Sequence, residues 1–144
     1  MSKGNTFEND LLLLIFNNTD AALIGDATGL RGSSTAGSLY VSLHTGDPGE
    51  AGSQTANEAA YGSYARVARS GAGWTVAGNA VTNAALVQFP QCTSGSETET
   101  HFAIGTASSG AGKILYKGAL SASLAVSSGI QPQFGATTLS GTED

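Results

Sequence analysis

The sequence predicts an all-β protein, a jelly-roll-like antiparallel β-sandwich of about eight strands with a short N-terminal helix. Three observations point there. Short runs alternate apolar and polar residues, as in Leu39-Tyr40-Val41-Ser42-Leu43-His44. Clusters of Gly, Ser, Thr and Pro separate these runs at close spacing, the pattern of many short strands joined by turns. No convincing helical periodicity occurs in the second half. The exception comes near the start, where Leu11, Leu12, Leu13, Leu14, Ile15 and Phe16 form six consecutive apolar residues.

The helix is expected over about 7–16. Asn5 or Thr6 can cap it, and Glu8 and Asp10 suit its positive N-terminal end. Asn17-Asn18-Thr19-Asp20 supplies a stop. Six apolar residues in a row cover more than one helix face. Such a helix should be buried on most sides, by another chain or by plugging one end of its own β body. Leu11, Leu12, Leu13, Leu14, Ile15 and Phe16 are therefore the candidate interface residues. Residues 20–37 form a Gly/Ser/Thr-rich connection with room for a short strand near 22–24. Its length suits an interaction arm or an edge covering better than an idle loop. The expected organisation is thus a helix and arm over 1–37 and a β-sandwich domain over 38–144.

From Ser38 onward the alternation is clear. Leu39, Val41 and Leu43 should face one way, and Tyr40, Ser42 and His44 the other. Gly46-Asp47-Pro48-Gly49 is a turn with a mechanism: Asp bonds its own backbone, Pro fixes φ, and Gly permits positive φ. Residues 50–60 read as a surface loop. Further strands are expected near 63–70, 73–77, 80–82, 85–89, 100–106, 113–120 and 131–139. Pro90 and Pro132 should sit at strand ends or edges. Eight strands is the jelly-roll number, with a seven-strand immunoglobulin-like sandwich as the alternative.

Composition bounds the function. The chain has 144 residues, enough for a single core without staples. Charged residues make up 12%, about half the usual share, so the outer faces must be largely Thr, Ser and Ala. Net charge is −5, and the six basic residues (Lys3, Arg31, Arg66, Arg69, Lys113, Lys117) form no run, which argues against nucleic-acid binding. Cys92 stands alone, so there is no internal disulfide framework. The apolar run is too short to span a bilayer, and Glu8 and Asp10 replace the basic start of a signal peptide.

Chemistry-bearing patterns are weak, and the expectation is a protein that is not an enzyme and holds no metal or cofactor. Ser108-Ser109-Gly110-Ala111-Gly112-Lys113-Ile114 approaches a phosphate loop, but Ala107 fills the first Gly position and Ile114 replaces the hydroxyl residue. A hairpin turn is the better reading. His44 and His101 lie in alternating strands without a second ligand at metal spacing. Cys92 has no base nearby in sequence, and no Gly-x-Ser-x-Gly elbow occurs. Glu97 and Glu99 read as a solvated loop tip or a contact for a basic partner. Trp74 is expected in the core. Tyr61 and Tyr64 stand near it in sequence, a grouping that could also serve a sugar. Arg66 and Arg69 fall on opposite faces of an ideal strand.

Leu39-Tyr40-Val41-Ser42-Leu43-His44-Thr45-Gly46-Asp47-Pro48-Gly49 carries a family resemblance. With it go Tyr64-Ala65-Arg66-Val67, Gly73-Trp74, Phe89-Pro90-Gln91-Cys92, His101-Phe102-Ala103-Ile104-Gly105 and Ile130-Gln131-Pro132-Gln133-Phe134. Over roughly residues 7–139 the chain resembles the tailed-phage capsid cement (decoration) proteins, a family that includes the cement protein of a Bordetella podovirus and whose members are often labelled tail-fibre proteins. The resemblance implies a jelly-roll subunit, made in the host cytoplasm, that binds the outside of an HK97-type shell as a homodimer. Its partners would be the major capsid protein and a second copy of itself. It brings no catalytic motif. The alternative is a tail- or fibre-associated receptor-binding module, with Tyr61, Tyr64 or Trp74 meeting a glycan.

Overall fold

The structure is a computed structural model that describes residues 2–24 and 37–144. Most of the connection expected as an arm, residues 25–36, lies outside the described residues. The predicted class holds: the chain is all-β, with antiparallel sheets and a short N-terminal helix. Among the described residues nine strands stand in sheets of four, three and two. Residues 22–24 form a turn and bend, not the short strand expected there.

The chain separates into two compact units. The first takes residues 1–38, 69–86 and 134–144; the second takes 39–68 and 87–133.

In the first unit, helix α1 (Asn5–Asn17) packs on a three-stranded sheet. That sheet runs β3 (Trp74–Ala77), β4 (Ala80–Asn83), β9 (Ser140–Thr142). The helix starts one residue earlier than either expected cap would allow. Gly4 is the N-cap, extended at φ −82° and ψ 144°, and it brings no side-chain hydrogen bond. Its carbonyl accepts from Glu8 N at 3.1 Å, so Asn5 and Thr6 are drawn into the first turn. The stop falls where expected. Asn18 takes the left-handed conformation (φ 58°), and Thr19 N closes onto Leu13 O at 3.1 Å.

Glu8, Leu12 and Phe16 are the buried residues of α1, spaced four apart on one face. Phe16 meets Trp74 edge-on, ring centroids 4.9 Å apart at 67°. Trp74 is in the core, as predicted. The β3–β4 hairpin pairs Trp74 with Asn83 through Ala77 with Ala80, and β9 adds along β4 from Thr82↔Ser140 to Ala80↔Thr142. Asn83 is fully buried and fully used. Its Nδ2 donates to Ala85 O (2.8 Å) and Gly135 O (2.7 Å), and its Oδ1 accepts from Leu139 N (2.9 Å). The chain ends meet here: Lys3 Nζ lies 3.1 Å from Glu143 Oε2 and also reaches the carbonyl of Asp144.

The second unit is built on β1 (Ser38–His44), β6 (Ser96–Gly105) and β7 (Ile114–Ser127). The sheet order is β2–β1–β6–β7, with β2 (Val67–Ser70) carrying the chain onward into the first unit. β5 (Val87–Gln88) and β8 (Gln133–Phe134) form the two-stranded ladder, and Pro90 and Pro132 flank it as expected at strand ends. The last four residues of β1 are all buried. Ser42 and His44, expected on the face opposite Val41 and Leu43, are therefore enclosed along with them. The turn after β1 forms as predicted. Gly49 N donates to Asp47 Oδ1 at 2.8 Å, and Gly49 has φ 77°.

Replacing Leu12 by Ala should cost about 2–5 kcal/mol, since the side chain is wholly enclosed. Replacing Phe7, on the outer side of the same helix, should cost no more than about 0.5 kcal/mol. Urea unfolding of both variants checks this, and equal losses would contradict the assignment of faces.

Candidate functional site

The six candidate interface residues divide by helix geometry. Leu12 and Phe16 are buried in their own unit at 0% and 3% exposure. They cannot be surface anchors as they stand. Leu11, Leu13, Leu14 and Ile15 are half-buried. On a helix of 3.6 residues per turn, Phe7, Leu11 and Leu14 follow one another at i, i+4 and i+7, turned away from Leu12 and Phe16. Phe7 is 38% exposed. The helix therefore carries two apolar stripes, one spent on its own sheet and one facing out, with Asp10 beside the outer one. Phe7 was absent from the sequence-derived set because it precedes the continuous run, yet its i, i+4, i+7 spacing with Leu11 and Leu14 is visible in the sequence.

The second unit holds a polar cluster that the sequence did not foreshadow. Arg66 and Glu58 form a two-pronged ion pair, Nε to Oε1 at 2.6 Å and Nη2 to Oε2 at 2.7 Å. The Arg66 side chain is 2% exposed. Its remaining reach goes to Ala107 O and Gly110 O, each at 2.8 Å. Tyr64 donates to Glu58 Oε1 (3.1 Å) and accepts from Leu43 N (3.1 Å). The hydrogen bonds that Arg66 donates to Glu58 are the main reason its pKa is raised, and burial pushes the Tyr64 phenol up. An open pocket of about 250 Å³ lies over this cluster, lined by Glu58, Tyr64, Arg66 and residues 108–110. Its guanidinium is already committed to a carboxylate and two carbonyls, so the pocket offers an incoming anion little free charge. The arrangement ties the β6–β7 connection to β1.

The phosphate-loop-like segment is that connection, and it is the hairpin predicted. Gln54, fully buried, threads it: Nε2 donates to Tyr40 O (3.3 Å) and Oε1 accepts from Ala107 N (3.0 Å). A Cβ on Gly112 would fall 2.1 Å from Gln54 Oε1, and one on Gly105 2.2 Å from Gln54 Cδ and 2.6 Å from the Lys113 carbonyl. Two glycines here make room for an amide, not for a phosphate.

His44 is hydrogen-bonded at both nitrogens, Nδ1 to Ala56 O at 2.8 Å and Nε2 to Ser42 Oγ at 2.9 Å. A carbonyl can only accept, so Nδ1 carries the proton and Nε2 accepts from the serine. Burial is the main reason its pKa is lowered. His101 Nδ1 lies 2.9 Å from Thr100 Oγ1. Cys92 is buried, its Sγ 3.2 Å from Ser94 O. Among the described residues no three His, Cys, Asp or Glu side chains come together as a metal site. Trp74 and Tyr61 are buried at 4% and 3% exposure, and Tyr61 Oη donates to Pro90 O at 3.0 Å. Neither presents an open ring face to a sugar.

Glu97 and Glu99 are not a loop tip. Both lie in β6. Glu97 Oε1 accepts from the backbone N–H groups of Ala60 and Tyr61, each at 2.9 Å. Glu99 is fully buried, and neither of its oxygens has a donor to accept from. The neighbouring polar group is the Glu97 carboxylate, and a hydrogen bond between the two carboxyls needs a proton on one of them, which burial favours on Glu99. Burial, reinforced by Glu97, raises the Glu99 pKa from 4.5 to about 8.

A carboxyl whose folded pKa is raised favours the fold fully below its unfolded pKa and loses that advantage as pH rises through the folded value. The stabilisation of Glu99→Gln relative to the natural chain should therefore grow from about pH 5 to pH 8 and then level off. His44 acts in the opposite direction, weakening the fold as pH falls below 6.5. Thermal melts of both chains across pH isolate the Glu99 part as their difference. A difference that does not change with pH would contradict the buried-acid assignment.

No curated protein matches the sequence. One family model does match, over residues 4–142, and its description is podophage GP4 fiber I protein gp80. The match spans both units, the helix and all nine strands. Nearly the whole chain thus shares that family's sequence pattern, and the protein belongs to the podophage GP4 fiber I protein gp80 family of phage structural proteins.

Proposed function

We propose that this phage structural protein is a non-enzymatic docking subunit of the virion's fibre assembly, seated on a larger structural protein through the outer face of α1. The observation that carries the reading is the divided helix. Leu12 and Phe16 hold it to its own sheet, while Phe7, Leu11 and Leu14 keep a second apolar stripe at the surface. The family's description as a fibre protein favours the fibre as the place of attachment.

The physics is mass action. A subunit that binds only the assembled particle stabilises that assembly in proportion to its occupancy. Repeated copies on a symmetric particle turn weak contacts into avidity. A surface with few charges loses little hydration when covered, and few charged groups need a partner across the contact.

A second reading has its own support. The stretch from Leu39 to Gly49 and the other segments named above resemble capsid cement proteins, which favours the capsid exterior and the major capsid protein as partner.

Particles carrying an epitope tag on this chain, imaged by immunogold electron microscopy, separate the two. Label at the fibres supports the first reading. Label spread over the shell overturns it in favour of the second, and particles without label overturn both. Leu14→Asp should leave the isolated protein folded, since the side chain is only half-buried, and lower its incorporation into particles about tenfold. Unchanged incorporation would contradict the helix as the docking face.

A further inference from the structure

The second unit encloses an acid that no donor answers. Glu99 is fully buried, and neither of its carboxyl oxygens has a hydrogen-bond partner. An unpaired charge in a protein interior is costly, so a buried carboxylate needs a proton or a cation. Its neighbour adds to the demand. Glu97 lies two residues earlier on β6, in the same regular stretch of ladder, so both side chains leave one face of the strand. Glu97 Oε1 accepts from Ala60 N and Tyr61 N, which fixes that carboxylate and leaves Oε2 for another partner. Among the described residues neither glutamate forms an ion pair. The titratable groups that share this space are Tyr61 and Cys92. Tyr61 Oη donates to Pro90 O and Cys92 Sγ to Ser94 O, and neither carries a positive charge.

The chemistry of the pair selects the ion. Two carboxylates carry two negative charges, which one divalent cation balances. Their donor atoms are all oxygen, the choice of a hard ion such as Ca²⁺ or Mg²⁺. No third His, Cys, Asp or Glu side chain joins them among the described residues, so the other ligands would be carbonyl oxygens and water. Ca²⁺ accepts irregular sets of about six to eight oxygens, with carboxylates bound through one oxygen or both. Mg²⁺ demands near-octahedral geometry and keeps several waters, which a fully enclosed Glu99 disfavours. The surroundings suit entry and coordination. Glu97 is half-buried, and Ser94, Gly95, Ser96 and Thr98 around it are exposed. Just past Glu99 the ladder with β7 is interrupted, stepping from Glu99↔Leu124 to His101↔Ala119. Such a break leaves backbone groups without ladder partners, a source of carbonyl ligands beside the acid.

We propose that Glu97 and Glu99 form a binding site for a divalent cation, Ca²⁺ by preference, which clamps the start of β6 to the segment at Ala60 and Tyr61. In the ion-free protein the two carboxyls share a proton instead. The site lies in the second unit and is independent of the docking reading.

After treatment with a chelator, the full chain in about 2 mM calcium chloride should melt about 2–5 °C higher than without it, the shift expected for a site of few charges with a Kd of about 10⁻⁴–10⁻³ M. Isothermal titration calorimetry should give one ion per chain. Glu99→Gln keeps the shape and removes the charge, and it should abolish both the shift and the heat. Glu50→Gln, at an exposed acid after β1, should keep both. No response to Ca²⁺ overturns the proposal and leaves the pair as carboxyls sharing a proton. A response that survives Glu99→Gln also overturns it, because the ion is then held elsewhere. Should Glu99→Gln fail to fold, Glu97→Gln decides, since its amide oxygen can still accept from Ala60 and Tyr61.

Discussion

Buried backbone groups must find partners, and this chain, with long irregular segments and few charges, supplies them with neutral side-chain amides. One such amide organises each unit. Asn83 spends its Oδ1 and Nδ2 on Leu139, Ala85 and Gly135, which binds the C-terminal segment to β4. Gln54 joins Tyr40 to Ala107 and closes the β6–β7 connection over the end of β1. Asn17 does similar work at the helix end, donating to Gly71 O at 2.8 Å and Trp74 O at 3.2 Å. Gly105 and Gly112 follow from Gln54, since neither position has space for a side chain. An unsatisfied buried amide costs about 1–3 kcal/mol, so each loop is fixed by polar geometry as firmly as by apolar contact.

This economy shapes the surface. The strongest ion pair, Arg66 with Glu58, is turned inward to hold loop carbonyls. What remains outside is largely uncharged, with apolar side chains such as Phe7, Leu23 and Leu86 in the first unit exposed at 38%, 83% and 42%. Such a surface is poorly suited to steering a charged ligand and well suited to close packing against protein.

Much of the fold was legible in the sequence because its signals are local. Alternation marked the strands, the turn at Asp47 and Gly49 followed from backbone chemistry, and Asn17-Asn18 marked the helix stop. The misreadings came from long-range packing. Glu97 and Glu99 sit among Ser and Thr and looked like a loop, but β6 runs through them and buries Glu99. Alternation put Ser42 and His44 on the face opposite Val41 and Leu43, but could not show that the second unit covers both faces of that end of β1. The cap at Gly4 carried no side-chain signal, because its backbone carbonyl begins the helix without one. The candidate site was half legible. The run from Leu11 to Phe16 identified the helix, but only the structure separates the stripe bound to β3 and β4 from the stripe facing out.

The account stands on the outer stripe of α1 being covered by another virion protein. Hydroxyl-radical footprinting of Phe7, Leu11 and Leu14, compared between the free protein and intact particles, tests that most directly. Strong protection of these side chains in the particle, with solvent-exposed Thr75 modified equally in both states, is the predicted result. Equal modification of the stripe in both states would show that the helix stays open to water in the virion and would contradict the account.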